Sequence, residues 1–138
     1  MPQKALVVDD DPEIREEIAE ILDSMGDAYD MADCQSEGRR MFAAGGHSYY
    51  LLDLDIPVRT GTRPRIQNGE NLLHEILRRQ GLFGPPVIVI TGHGKDGPEL
   101  ARRVMSEGAV DFVNKPFPSV GDTLDKAIRR ALAKQAQR

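Results

Sequence analysis

The run of residues from Tyr49 to Pro57 constrains the fold more than any other stretch of the chain. Tyr49 to Leu52 are continuously apolar, which predicts a strand with both faces buried. The chain turns polar at Asp53, and Pro57 has no N–H group with which to extend a sheet ladder. We therefore expect Asp53 at the carboxyl end of a central strand, the edge where open α/β sheets bind ligands.

Apolar runs at four other places predict further strands, and helix-spaced apolar residues fall between them. The predicted strands cover residues 5–8, 28–32, 49–53, 87–90 and 110–113. The predicted helices cover residues 12–25, 36–44, a third segment that ends at Gly81, residues 98–107, and a last helix from Val120 nearly to the terminus. Strands that alternate with helices predict one parallel sheet with helices on both of its faces.

The ends and faces of the helices give more specific predictions. Asp11, followed by Pro12, has the pattern of an N-cap for the first helix. Met105 is expected to face inward, together with the other apolar residues of the fourth helix. The second helix is predicted to be weak, because Gly38 within it costs about 1 kcal/mol relative to alanine.

Composition restricts the class of protein and its partners. A chain of 138 residues is expected to form one domain, residues 1–138, without a disulfide or a structural metal. Cys34 is the single cysteine, no apolar run approaches the roughly 20 residues of a membrane span, and the start lacks a signal peptide. These features predict a cytoplasmic protein. A net charge of −4 and an aromatic content of 5% argue against nucleic acid as the main partner.

Chemically distinctive side chains follow four of the predicted strands. Asp9 and Asp10 follow the first, Asp53 ends the third, Thr91 follows the fourth and Lys115 follows the fifth. The strand order 2-1-3-4-5 is known for one class of open α/β sheet and is assumed, since the sequence does not derive it. In that order the strand ends are neighbours, so three carboxylates, a hydroxyl and an ammonium group converge on one cleft.

Three carboxylates in one cleft cannot all remain ionised unaided. Two unit charges about 4 Å apart repel by roughly 4 kcal/mol at an effective dielectric constant of about 20. Either one acid is protonated or a cation is bound. Mg²⁺ takes one or two carboxylates together with water and phosphate oxygens. With Lys115 and Thr91 opposite, the pattern predicts a site for a phosphoryl group carried by one aspartate.

At four places the residues and their spacing resemble the receiver (CheY-like) domains of bacterial two-component response regulators. The matching segments are VVDD at residues 7–10, LDLDIP at 52–57, VITG at 89–92 and GAVDFVNKPF at 108–117. Four segments in register over nearly the whole chain make the resemblance specific. It implies a flavodoxin-like (βα)5 three-layer sandwich and a phosphorylation-dependent signalling switch in a phosphorelay.

The resemblance also implies a role for each acid. Asp53 would accept a phosphoryl group from the phosphohistidine of a sensor histidine kinase or a phosphotransfer protein. Mg²⁺, or Mn²⁺ in its place, would be held by Asp10, Asp53 and the backbone carbonyl of Asp55, with Asp9 acting through water. The domain would assist its own phosphorylation and dephosphorylation without being an enzyme that turns over a separate substrate.

Further implied roles concern the phosphoryl oxygens and the output. Thr91 and Lys115 would contact these oxygens, and Phe112 would turn inward when Thr91 moves towards them. That shift changes the face formed by the fourth helix, the fifth strand and the fifth helix, where a homodimer is also expected. No membrane partner is expected, and nucleic acid is expected only through an output domain that this chain does not include.

Two departures from the family pattern stand out. The loop after Pro57, predicted at about residues 58–68, is about eight residues longer than the usual connection. It carries Arg59, Arg63 and Arg65 and is either a solvated surface loop or a contact for a kinase or another partner. Asp55 and His93, the latter two residues after Thr91, occupy positions that tune phosphoryl hydrolysis in relatives.

Simpler interpretations remain open for several residues. Phe112 is either a core aromatic residue or the switch, and His93 is either an exposed loop residue or a tuning residue. His47 and His74 are expected on the surface, and no cluster of histidine and cysteine predicts a metal centre.

Two alternative functions belong to other classes. Asp53-Leu54-Asp55 also resembles the Asp-x-Asp motif of haloacid dehalogenase-like phosphohydrolases, which form an aspartyl phosphate. Those enzymes place the motif on the first strand, whereas here the acidic pair Asp9-Asp10 comes first. The second alternative is an interaction module that keeps the fold without phosphorylation, and the intact set of acids, threonine and lysine counts against it.

Overall fold

The computed structural model describes residues 3–81, 83–92 and 97–137. Within these ranges, strands and helices alternate along the chain. The strands are β1 (Lys4–Val8), β2 (Ala28–Ala32), β3 (Tyr49–Asp53), β4 (Val87–Thr91) and β5 (Asp111–Asn114). The helices are α1 (Pro12–Met25), α2 (Gln35–Ala44), α3 (Ile66–Gln80), α4 (Gly97–Glu107) and α5 (Leu124–Ala136). The predicted alternation is confirmed, with ends that differ by one or two residues for most elements.

All five strands are parallel, and their order in the sheet is β2-β1-β3-β4-β5. This is the order that the sequence analysis assumed. Val8 of β1 pairs with Leu52 of β3, and Asp53 pairs with Ile90 of β4. The carboxyl ends of these three strands therefore lie side by side at one edge of the sheet.

The central strand β3 supplies side chains to two hydrophobic cores on opposite faces of the sheet. Tyr50 and Leu52 lie in the core on the side of α2, α3 and α4. Tyr49 and Leu51 lie in the core on the side of α1 and α5. This alternation follows from the period of two residues along a strand. The result is the predicted three-layer sandwich, with helices on both sides of a fully buried strand.

The starts and contacts of α1 and α2 explain two features of the sequence, Asp11 before Pro12 and Gly38 within a helix. Asp11 is the N-cap of α1, since its Oδ1 accepts a hydrogen bond from the N–H of Glu13 at 2.9 Å. Gly38 lies where α2 packs on the sheet, and a Cβ there would meet Leu72 Cδ2 at 2.9 Å and Val8 Cγ2 at 3.1 Å. The helix therefore accepts the weaker propensity of glycine because a larger residue would not fit without movement of its neighbours.

The long connection after β3 is shorter than predicted, because α3 begins at Ile66 and not after residue 68. The N–H of Gly69 donates to Leu54 O at 3.0 Å, and the Asn68 side-chain amide donates to Ile56 O at 2.9 Å. The first turn of α3 thus finds acceptors in the preceding chain, which lets the helix start before its apolar pattern does. An isolated antiparallel bridge between Ile56 and Arg65 closes the loop.

Two further predictions about helix faces are wrong. Val120 is 81% exposed, and α5 begins only at Leu124, because Gly121 adopts a left-handed conformation (φ 77°) that interrupts any helix through it. Met105 is 42% exposed, whereas Val104, its neighbour in α4, is fully buried. One residue rotates the helix by about 100°, and in α4 this step turns Met105 away from the sheet that Val104 faces.

Of the two histidines predicted on the surface, one is buried and one is exposed. His47 is buried, and its Nε2 lies 2.8 Å from Asp30 Oδ2, so its expected surface position is wrong. The hydrogen bond to Asp30 makes burial of this ring nitrogen acceptable. His74 is exposed, as predicted, and its ring nitrogen is hydrogen-bonded to Glu107. Glu70 lies near this pair, but both of its carboxylate oxygens bind the Arg103 guanidinium at 2.7 and 3.0 Å.

Candidate functional site

Lys115 joins the acids from two strand ends at the carboxyl edge of the sheet. Its Nζ lies 2.9 Å from Asp9 Oδ2 and 3.2 Å from Asp53 Oδ2. Asp9 follows β1, Asp53 ends β3 and Lys115 follows β5, so these two contacts connect the carboxyl ends of β1, β3 and β5. Asp9 is fully buried and Asp53 is 3% exposed. The ammonium group therefore offsets part of a negative charge that water does not reach.

Asp10 completes a cluster of three carboxylates. Ligand oxygens of Asp9, Asp10 and Asp53 all lie within 4.8 Å of one another. Asp10 is partly exposed and lines the open cleft together with Asp53, Asp55 and Lys115. This spacing of carboxylate oxygens suits a hard divalent cation such as Mg²⁺, which would be reached from the cleft.

Local hydrogen bonds fix the acids. The N–H of Asp11 donates to Asp9 Oδ1 at 2.9 Å, and the Arg15 guanidinium donates to Asp9 O at 2.7 Å. The N–H of Asp55 donates to Asp53 Oδ1 at 3.3 Å. One oxygen of each buried aspartate is thus held by a backbone N–H, while the other faces Lys115.

The pKa values of the site report crowded negative charge. Burial and the nearby charge of Asp9 raise the pKa of Asp53 to about 7, although Lys115 works in the opposite direction. Burial and the charge of Asp9 also raise the pKa of Asp10. For Lys115, burial lowers the pKa, but the carboxylates of Asp53 and Asp9 outweigh burial and the pKa is raised. One lysine does not neutralise three acids, so the site favours a further cation.

We expect the metal-free protein to lose stability as pH rises across the titration of Asp53. The folded-state pKa of about 7 exceeds the ordinary value of 3.8, so the folded state holds a proton that the unfolded state has released. The free energy of unfolding therefore falls as pH rises from the ordinary pKa to the folded-state pKa, and above that it stays at the lower value. Urea unfolding in EDTA at pH 5 and pH 8 measures the effect, and Asp53→Asn, which cannot ionise, is the control. Equal pH dependence in parent and variant would contradict the assignment.

Thr91 places a hydroxyl group at the same edge. It is the last residue of β4 and is fully buried. Its Oγ1 has no hydrogen-bond partner within residues 3–81, 83–92 and 97–137. A buried hydroxyl without a partner costs free energy, which a ligand oxygen in the cleft would recover.

The sequence that carries these acids, the threonine and the lysine also matches a known protein family. The family model of the response regulator receiver domain matches residues 5–129. The chain belongs to this family. Its fold is the one that the sequence analysis expected from the resemblance, and the alternative phosphohydrolase is not favoured.

Several proteins that this chain resembles are considerably longer than it is. The C4-dicarboxylate transport transcriptional regulatory protein DctD of Pseudomonas aeruginosa is 36% identical over 94% of this chain and 25% of its own length. The transcriptional regulatory protein FixJ of Azorhizobium caulinodans is 36% identical over 95% of this chain and 56% of its own length. The crystal structure of NtrX from Brucella abortus superposes with a TM-score of 0.82 at 31% identity, over 99% of this chain and 28% of that one. The chain thus spans about a quarter to just over half of these relatives.

Among the other predicted site residues of this receiver domain, Phe112 and Asp55 are described and His93 is not. Phe112 lies in β5, three residues before Lys115, and is half-buried against the core on the α4 side. This position leaves both of its interpretations in place. Asp55 is half-buried at the cleft, and His93 lies outside the described residues. No helix in the described ranges is long and apolar enough to cross a membrane.

Three residues that support the site were not recognised in the sequence. Gly69 packs so closely on Leu54 that a Cβ would lie 2.2 Å from Leu54 Cα. Asn68 is buried, and its backbone oxygen accepts a hydrogen bond from the Gln35 side chain at 2.9 Å. These contacts fix α3 and α2 against the residue that follows Asp53. The Gly69 at the start of an apolar helix was a signal in the sequence, but a glycine there does not reveal which backbone approaches it.

Proposed function

We propose that this receiver domain is a signalling switch in which Asp53 accepts a phosphoryl group from a phosphohistidine of a histidine kinase or phosphotransfer protein. The observation that carries the proposal is the Lys115 bridge between Asp9 and Asp53. Beside it lie a third acid and the buried Thr91 hydroxyl, which has no hydrogen-bond partner in the part of the chain that the structure describes. The set combines a nucleophilic carboxylate, oxygen ligands for a cation and two donors for phosphoryl oxygens. The family match and its relatives support it.

In the transfer itself, a carboxylate oxygen of Asp53 attacks phosphorus while the bond between phosphorus and the donor imidazole nitrogen breaks. The nitrogen keeps the electron pair, and the product is an aspartyl phosphate. Mg²⁺ bound at the acids would neutralise charge on the phosphoryl oxygens. Asp10, Asp53 and the backbone carbonyl of Asp55 would hold this ion, with Asp9 acting through water and keeping Lys115 in place.

Thr91 and Lys115 would stabilise the phosphorylated state. Lys115 would exchange its contact with Asp53 Oδ2 for a phosphoryl oxygen, and the Thr91 hydroxyl would donate to another. Movement of Thr91 would open space that Phe112 enters, which changes the surface of α4, β5 and α5. A homodimer partner or an output domain would read this surface. The half-buried position of Phe112 beside the core supports a side chain that can move inward.

The direct test uses a small phosphodonor. The purified protein is incubated with acetyl phosphate, with and without Mg²⁺ or Mn²⁺, and the intact mass and the modified peptide are measured. One phosphoryl group on Asp53, formed only with the metal, is the expected result. Continuous turnover of small phosphate esters without a stable acceptor residue would instead favour the phosphohydrolase alternative.

Replacement of Asp10 should weaken the dependence of labelling on Mg²⁺. Indirect partners of metal ligands alone change metal affinity by about 10- to 100-fold, so Asp10→Ala should raise the half-saturating Mg²⁺ concentration by more than about tenfold. Labelling with acetyl phosphate across a Mg²⁺ titration measures this. Glu16→Gln, which removes an exposed acid from α1, is the matched control. A Mg²⁺ requirement that stays the same in Asp10→Ala would exclude Asp10 as a ligand.

A further inference from the structure

A patch of unpaired positive charge lies on the connection between β3 and α3. We call residues 58–65 the arginine loop. Its three arginine side chains are exposed, and none forms an ion pair or a side-chain hydrogen bond with any described residue: Arg59, Arg63 and Arg65. Residues 56–68 contain no acidic residue at all. The charge of the loop is therefore available to a partner.

Several arginines on the helices are paired instead. Arg39 pairs with Glu75, Arg103 with Glu70, and Arg130 with Asp111 and Asp122. The sequence supplies acids next to these residues but none within the arginine loop. The loop charges therefore add no ion pair to the described part of the fold.

The backbone of the arginine loop is held in a fixed position despite its exposure. Pro57 O and Val58 O each accept a hydrogen bond at 2.9 Å from the N–H groups of Gln35 and Ser36 at the start of α2. The N–H of Arg65 donates to Ile56 O at 3.1 Å. Thr60 and Thr62 add side-chain hydrogen bonds to Asp33 and to the backbone of Arg59, at 2.8 and 2.7 Å. A fixed backbone lowers the entropy lost when the guanidinium groups bind a partner.

The arginine loop lies beside the acceptor edge. Ile56 follows Asp53 by three residues, so their Cα atoms are within about 11 Å, and Arg65 pairs with Ile56 at about 5 Å. A protein contact of standard size buries about 800 Å² per partner, a disc of about 16 Å radius. A protein that delivers a phosphoryl group to Asp53 therefore also covers Arg65 and meets the rim of the loop.

The charges around the site indicate what kind of protein would bind the arginine loop. The cleft around Asp53 is lined by acids, which repel an acidic donor, and the arginine loop provides compensating attraction at its rim. Guanidinium groups bind carboxylates in bidentate fashion and are enriched in protein interfaces. Nucleic acid fits poorly, because the neighbouring acids repel phosphates and the loop has no aromatic residue for stacking.

We propose that the arginine loop is a docking surface for acidic side chains of the protein that phosphorylates Asp53, and that it contributes to the choice of that protein. The inference rests on the proposed function. It predicts a defect confined to protein donors, since acetyl phosphate needs no docking surface. Rim charges act mainly on association, so the defect should depend on ionic strength.

The experiment compares two triple variants. Arg59→Gln, Arg63→Gln and Arg65→Gln together remove the loop charges. The control removes three exposed, unpaired arginines elsewhere with the same substitution: Arg78→Gln, Arg102→Gln and Arg129→Gln. Each protein receives phosphate from a panel of autophosphorylated sensor kinases of the source organism, and in parallel from acetyl phosphate.

For the kinase that labels the parent fastest, kcat/KM should fall by about tenfold or more in the loop variant at low salt. The difference should shrink with added salt. The control variant should match the parent, and acetyl phosphate should label all three proteins equally.

If acetyl phosphate fails to label the parent, the proposed function is overturned. If it labels all three proteins and kinase transfer is the same in parent and loop variant, or falls equally in the control, only the docking role is overturned. Duplex DNA binding that the loop variant alone loses, with unchanged kinase transfer, would assign the loop to nucleic acid instead.

Discussion

Asp53→Ala should abolish phosphorylation of the protein by acetyl phosphate and by a phosphorylated kinase. No other described acid combines burial, a Lys115 contact at 3.2 Å and a place at the end of the central strand. Asp9 is also bonded to Lys115, but it is fully buried and does not line the cleft, whereas Asp53 does. Asp10 lines the cleft, but among the described residues the carboxylates bonded to Lys115 are those of Asp9 and Asp53. Intact-mass measurement after incubation with each donor gives the result.

The control for Asp53→Ala must separate lost chemistry from lost folding. Asp53→Asn keeps the shape and the acceptor for the Asp55 N–H, so it should fold as well as the parent and still not label. Far-UV circular dichroism and urea unfolding check the fold. Labelling of either variant at the rate of the parent would show that another residue is the acceptor.

Gly69→Ala should destabilise the protein by at least about 3 kcal/mol. A Cβ at this position would lie 2.2 Å from Leu54 Cα and 2.3 Å from Leu54 O, and both are backbone atoms that no rotamer change can move. The N–H of Gly69 also donates to Leu54 O, so separating the two segments breaks this hydrogen bond. Since Leu54 follows Asp53, we expect labelling to fall as well. Urea unfolding measures the free-energy change.

Gly97→Ala is the matched control for Gly69→Ala. It also lies in the first turn of a helix, but among the described residues its Cβ would meet only Asn114 Oδ1, at 3.9 Å. We expect no loss of stability there, and a gain of up to about 1 kcal/mol, because alanine restricts the unfolded chain more than glycine does. A loss at Gly69→Ala no larger than at Gly97→Ala would show that α3 can move away from Leu54 at little cost.

The sequence predicted the sheet well because its strands are short, apolar and separated by helix-spaced patterns. A run such as Tyr49 to Leu52 cannot be solvated on either face, so its central place in a parallel sheet follows from composition alone. The acids at the strand ends could be predicted to form one site only after the strand order was assumed, because local sequence patterns do not contain that order. That order came from the class of fold and is the one observed.

Two of the wrong predictions share a physical cause, since they depend on contacts far along the chain. His47 is buried because Asp30, 17 residues earlier, receives its Nε2, and no local pattern reveals that partner. The early start of α3 depends on acceptors at Leu54 and Ile56, which lie outside the helix pattern. Val120 was read as helical from its spacing alone, whereas Gly121 ends any regular run there.

The loop carbonyls that meet the start of α2 have a consequence for engineering this receiver domain. Cys34, which precedes the helix, provides no side-chain acceptor, so Pro57 and Val58 satisfy the first N–H groups in its place. A variant trimmed after Pro57 to the usual loop length would lose Val58 O, leave the Ser36 N–H without this acceptor and fray the helix beside the sheet. Trimming should therefore be paired with Cys34→Ser or Cys34→Asp, which restores an acceptor from the helix's own end.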